Sequence, residues 1–291
     1  MDTIVKKGCV IVSINSLCYL GLSLLSIIFM IYICYKKGIR NSLLLFLAMV
    51  GLGYVIEAII YNFLGSYIYY PKILRHDRIY DSNIGAMASN ALALPVSATF
   101  IAVFHKNWRW IIFFTGLFTG IEWLFLELHI YSHHWWKLGY TSLGLPFYYL
   151  TAKFLFKKII LPLQGTLHSL LLYLIVGSFS GTFQIIPIML FSSRYYQFGW
   201  WANQSMDTNA FGASFYLCDS LFYVVVAELS FFPRWLKYVI VPLCMYAVTN
   251  ILSKLGILHS LVWWDPWYFI ILSITTIWFT ESMSKRLEKG K

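Results

Sequence analysis

Stretches of roughly 20 mostly apolar residues follow one another along nearly the whole chain, each long enough to cross a hydrocarbon core of about 30 Å. Nine of them cover residues 9–34, 41–65, 83–104, 109–129, 139–156, 166–192, 208–230, 236–258 and 264–283. The gaps between them leave no room for a water-soluble domain. The chain is 59% hydrophobic and 12% charged over 291 residues, about half the charge that a surface facing water carries. Its mean hydropathy is +0.69. The expected fold is an all-α, polytopic transmembrane bundle of about nine spans, with the lipid bilayer as its solvent.

A net charge of +10 could suggest nucleic acid, but the basic residues form no single patch. They lie in short clusters between spans, where topology determinants belong. One set of alternate loops holds Lys36, Lys37, Arg40, Lys106, Arg109, Lys153, Lys157, Lys158, Arg234, Lys237, Lys285, Arg286, Lys289 and Lys291. The other holds half as many: Lys6, Lys7, Lys72, Arg75, Arg78, Lys137 and Arg194. The excess of positive charge marks the cytoplasmic side, which predicts a cytoplasmic C-terminus and, for nine spans, an extracytoplasmic N-terminus. The first span is basic at both flanks, so its own orientation is the least constrained. The apolar run after Lys6 and Lys7 is longer than a signal-peptide core and is read as a retained helix. Cys9, Cys18, Cys34, Cys218 and Cys244 show no metal-type spacing and are expected as buried thiols.

The chain also resembles itself. Ser42-Leu43-Leu44-Leu45 recurs as Ser169-Leu170-Leu171-Leu172, and Glu57 aligns with Gln184. Asp81-Ser82-Asn83 recurs as Asp207-Thr208-Asn209, followed by Gly85 and Gly212. Arg109-Trp110 matches Arg234-Trp235, Glu122 matches Asn250, Trp135-Trp136 matches Trp263-Trp264, and Tyr140 matches Tyr268. An ordered series at a near-constant offset predicts two copies of a four-helix unit, residues 39–160 and 161–291, after an extra helix in residues 1–38. An even number of helices per copy gives parallel copies, related by an axis along the membrane normal.

Glu57 and Glu122 each fall about two turns inside the outer end of a span, where a carboxylate usually faces a bundle interior or a wet cavity. With Gln184 and Asn250 they could form a four-member polar cluster about the axis, serving as interhelical glue or as a proton- or ligand-binding pair. Asp219 lies deeper, with no partner evident from sequence. Lys254 is placed to snorkel or to pair with an acid. The outer connections hold Asp81, His129, His133, His134, Asp207, His259 and Asp265. Asp81 and Asp207 open spans and are read as helix N-caps. Glu122, His129 and His133 would share one helical stripe if the helix ran that far, making His129 and His133 weak metal candidates. A polar interfacial cluster is the simpler reading, as an aromatic belt is for the tryptophans.

The run through Asp81, Pro95, Trp108-Arg109-Trp110, Ile121-Glu122-Trp123, His133-His134-Trp135-Trp136 and Tyr140-Thr141 resembles an uncharacterised family of small multi-pass membrane proteins of spore-forming bacilli and clostridia. The likeness is good for the first copy and loose for the second, as in a fused tandem. It implies a bacterial plasma-membrane location and no particular activity.

No phosphate-binding loop, nucleophile elbow, Cys-x-x-Cys or His-Glu-x-x-His occurs, so no cofactor is expected. Three functions remain open. Transport of a small solute or proton fits the repeat and the intramembrane acids. A membrane-embedded enzyme acting on a lipid or cell-envelope substrate would use Glu57 or Glu122 as acid or base, or the histidines as metal ligands. A structural or signalling membrane partner, in sporulation if the resemblance holds, would need none of them.

Overall fold

The computed structural model describes residues 13–229 and 233–290. Cys9, Lys6, Lys7 and the first residues of the first expected span therefore lie outside the described residues. Among those described, nine helices occur: α1 (Ile14–Lys37), α2 (Ile39–Phe63), α3 (Arg78–Val103), α4 (Trp108–Glu127), α5 (Leu138–Ile159), α6 (Thr166–Phe191), α7 (Gln204–Glu228), α8 (Arg234–Lys254) and α9 (Asp265–Glu288). Each lies within a few residues of an expected span. All but α5 and α9 are long and apolar enough to cross a membrane, which makes seven candidate spans. α5 and α9 are long enough but more polar, carrying Lys153, Lys157 and Lys158 in one and Glu281, Lys285 and Arg286 in the other.

Two short antiparallel ribbons close one end of the bundle. Strand β1 (Tyr67–Tyr69) pairs with β2 (Tyr131–His133), setting Tyr67 opposite His133 and Tyr69 opposite Tyr131. Strand β3 (Arg194–Tyr196) pairs with β4 (Leu258–Ser260), setting Arg194 opposite Ser260 and Tyr196 opposite Leu258. A shift of about 127 residues carries the first ribbon onto the second without a register slip. The left-handed residues move the same way: Gly65 and Ser192, Lys72 and Gly199, His129 and Gly256 all have positive φ.

The core runs through α2, α3, α6 and the inner faces of α5 and α7, with Leu45, Met49, Ile101, Tyr149, Leu171 and Ile175 fully buried. α3 and α6 are the most enclosed helices, while α1, α4 and α8 expose long apolar faces suited to lipid. α2 and α6 approach backbone to backbone at Gly51, where a Cβ would sit 1.9 Å from the carbonyl oxygen of Leu174. Small residues at such crossings allow the close van der Waals packing that holds membrane helices together.

Two helices change pitch. α2 is α-helical to Glu57 and then π-helical over Ala58–Phe63. α3 is π-helical over Met87–Ala93 before an α segment that has Pro95 in its first turn. A proline ring clashes with the carbonyl four residues earlier in a regular helix, and residue 91 lies in the widened turn. No Gly/Pro-rich break in the sequence marks these irregular segments. α6 and α7, at the matching positions, are continuous α-helices.

The thiols depart from expectation. Cys18 and Cys34 are partly covered, but Cys218 and Cys244 are exposed. A lipid-facing helix surface is as apolar as a core, so a thiol there has no reason to turn inward.

Candidate functional site

Asp81 and Asp207 do not cap their helices. Asp77 caps α3, accepting from the backbone N–H groups of Ile79 and Tyr80 at 2.8 and 2.9 Å. Asn203 caps α7, accepting from Met206 at 3.0 Å. With the caps one turn earlier, the carboxylates of Asp81 and Asp207 fold back onto the preceding loops. Asp81 accepts from the backbone N–H groups of Lys72, Ile73 and Leu74 at 2.7–2.8 Å. Asp207 accepts from those of Gly199, Trp200 and Trp201 at 2.8–3.2 Å. The next residue tethers the ribbon: Ser82 Oγ accepts from the Tyr69 N–H, and Thr208 Oγ1 accepts from the Tyr196 N–H. Third in each motif, Asn83 and Asn209 each donate to the other's side-chain oxygen at 3.0 Å. Both motifs therefore hold the architecture together.

Glu57 ends the α-helical part of α2. Its Oε1 accepts a hydrogen bond from the Tyr67 hydroxyl. Burial, and then the charge of Glu57, push that phenol well above its ordinary range, so it remains a proton donor. The other carboxylate oxygen, Oε2, is buried without a partner, and so is Nδ2 of Asn90 in the π-helical turn of α3. Glu122 reaches the same region from α4, and its Oε1 lies 2.7 Å from Nε2 of His133. That contact does not use a helical stripe. α4 stops at Glu127, and His129 is an exposed residue of positive φ. The chain turns there and returns His133 on β2.

The expected four-member cluster does not form. Gln184 donates from Nε2 to Asp219, and Ser180 and Ser220 donate to the same carboxylate at 3.0 and 3.4 Å, so the acid that lacks a partner in sequence has three. Asn250 bonds back to the Tyr246 carbonyl on α8 at 2.8 Å. Lys254 is exposed in the last turn of α8. His134 and His259 contact the carbonyls of Gly65 and Gly256 at 2.7 and 2.9 Å. Among the described residues, no group of three or more His, Cys, Asp or Glu side chains could hold a metal ion.

Two cavities meet at Glu57 and Asn90. The larger, about 200 Å³, lies beneath the β1–β2 ribbon, walled by Tyr67, Tyr69, Tyr131 and Trp136, with Glu57 and Glu122 inside it. The smaller, about 100 Å³, lies between the two halves and includes Asn83, Asn209, Gln184 and Tyr216. At the place in the second ribbon that matches Tyr67 stands Arg194. Its guanidinium forms a bidentate pair with the fully buried Asp265, at 2.8–3.1 Å, and lies 3.3 Å above the Phe269 ring.

Helices of this number, length and apolar character define a multi-pass helical membrane protein. No family model matches the chain, and neither a curated protein nor a solved structure matches it.

The sequence offers Asp265 as a candidate, while its partner Arg194 reads there only as a loop charge. Neither the tyrosine wall nor Asn90 stands out in the sequence. The one available signal was the placement of Tyr67, Tyr69 and Tyr131 in polar connections, next to the recurring Asp-Ser/Thr-Asn motif.

Proposed function

We propose that this protein moves a small solute across the membrane, with Glu57 as the group that binds the solute or a coupled proton. The observation that carries the reading is the position of Glu57. Its carboxylate is common to both cavities, has one oxygen unbonded, and sits where α2 changes from α- to π-helical pitch. Intramembrane acids facing cavities mark ion and solute pathways, and π turns occur often at functional sites.

In this reading all nine helices span. The two halves are tandem copies, 39–160 and 161–291, in parallel orientation behind the helix in 1–38. The matched ribbon registers, the matched left-handed residues and the reciprocal Asn83–Asn209 pair support that duplication. The loop charges support a C-terminus inside, and the family resemblance supports a bacterial plasma membrane.

The test is flux. Protein in liposomes, challenged with cationic, anionic and neutral solutes under a pH gradient, should give solute-dependent currents on a supported membrane. Glu57→Gln should reduce them at least tenfold while eluting as a single species. Wild-type protein silent to every class, or a variant that matches it, overturns the proposal.

A further inference from the structure

The larger cavity has a chemical preference that can be read from its walls. Aromatic rings make up much of the wall, with Tyr67, Tyr69, Tyr131 and Trp136 among its lining residues. Ring faces carry the negative end of a quadrupole and attract cations. Its lining holds two carboxyl groups, Glu57 and Glu122, and no Lys, Arg or His among the described residues. The Glu122 carboxylate has a partner in His133. Glu57 has an oxygen free. Asn90, nine-tenths buried, also has an amide N–H with no partner. An anion would meet two carboxyl groups and no basic side chain in this lining, and a metal ion would lack the converging oxygen ligands it needs.

The second half of the molecule holds a cation of its own at the matching place. Arg194 stands where the first ribbon has Tyr67. Its guanidinium lies on the face of Phe269 and is neutralised by Asp265. An aromatic face plus a buried carboxylate is thus already shown, within this chain, to hold a positive charge. The first half has the aromatic faces and the carboxylate but supplies no cation to them.

We infer that the larger cavity binds a small organic monocation of the alkylammonium or quaternary ammonium class, held by Glu57 and the aromatic wall. A hydroxyl on the ligand would take the free N–H of Asn90. Size agrees, since a cavity of about 150 Å³ holds a six-carbon ring and this one is about 200 Å³. The inference names the solute class for the transport reading above and rests on that reading only for its physiological meaning.

Choline and tetramethylammonium are suitable probes, set against the uncharged carbon isostere of choline (tert-butyl in place of trimethylammonium) and against acetate. Full-length protein in detergent should bind radiolabelled choline saturably, with tetramethylammonium competing. The isostere and acetate should compete at least tenfold more weakly. Glu57→Gln and, independently, Trp136→Leu should each weaken binding at least tenfold, whereas Asn250→Ala, away from the cavity, should leave it unchanged. If Glu57→Gln does not fold, Trp136→Leu and the isostere comparison decide. Absence of saturable binding, equal binding of the isostere, or variants that bind like wild type overturns the inference. Cation binding without flux would sink the transport reading and leave this site standing. Glu57-dependent flux of an anion or neutral solute without cation binding would do the reverse.

Discussion

Arg194 and Asp265 show what a buried charge does in this protein. Both are almost fully buried, 1% and 0% exposed, and each satisfies the other through two parallel hydrogen bonds. Removing one partner leaves an uncompensated charge, a cost of about 3–5 kcal/mol, whereas replacing both with apolar residues is often neutral. Asp265→Ala should therefore lower stability in detergent by about 3–5 kcal/mol, and Arg194→Met with Asp265→Leu should recover most of it. Unfolding curves for the two singles and the double check this; additive losses would contradict it. Other single residues were misleading in sequence. His129 looked like a ligand because of its spacing, yet it occupies a left-handed turn where the second half has Gly256. Backbone geometry explains that position without metal. Asp81 and Asp207 looked like caps because each stands near a helix start, and only the folded loops reveal their three N–H donors.

At the scale of elements, the contact of α2 with α6 is the tightest constraint. Gly51 leaves no space for even a methyl group, because the obstacle is the Leu174 carbonyl rather than a movable side chain. Gly51→Ala should push the helices apart and cost about 3 kcal/mol or more. Gly116→Ala on lipid-facing α4, with nothing nearby, should gain up to about 1 kcal/mol from helix propensity. Thermal melts of the two variants should move in opposite directions; a shared direction would count against the packing account. The π turns belong to this scale too. They occur in α2 and α3 and not in their counterparts α6 and α7, on the side of the molecule that holds the larger cavity. Nothing in the local sequence announces a π turn apart from Pro95, since one added residue per turn leaves the hydrophobic pattern of a fully apolar helix unchanged.

For the whole molecule, the loop charges predict which side each connection faces. In a background lacking native cysteines, Lys137→Cys should react with a membrane-impermeant thiol reagent in intact cells. Arg109→Cys should react only after permeabilisation, and the opposite pattern would invert the topology. Both residues are exposed, so reactivity reports sidedness and not burial.

Hydropathy alone determined that the chain is helical and belongs in a membrane, because a lipid solvent demands apolar surface and closed backbone hydrogen bonding over a span of defined length. The recurrence of Asp81-Ser82-Asn83 as Asp207-Thr208-Asn209 was also legible, since it is a linear pattern. Partnerships across the bundle were decided only by tertiary structure. Gln184 joined Asp219 instead of Glu57, Glu122 joined His133 through a reversal of the chain, and Tyr67 was brought to Glu57 by a ribbon three residues long. Such contacts depend on how helices rotate and where loops turn, and an apolar helix in lipid carries little amphipathic signal to specify its rotation. Glu57 and Glu122 could be found in the sequence, but the cavity they line exists only in the folded chain.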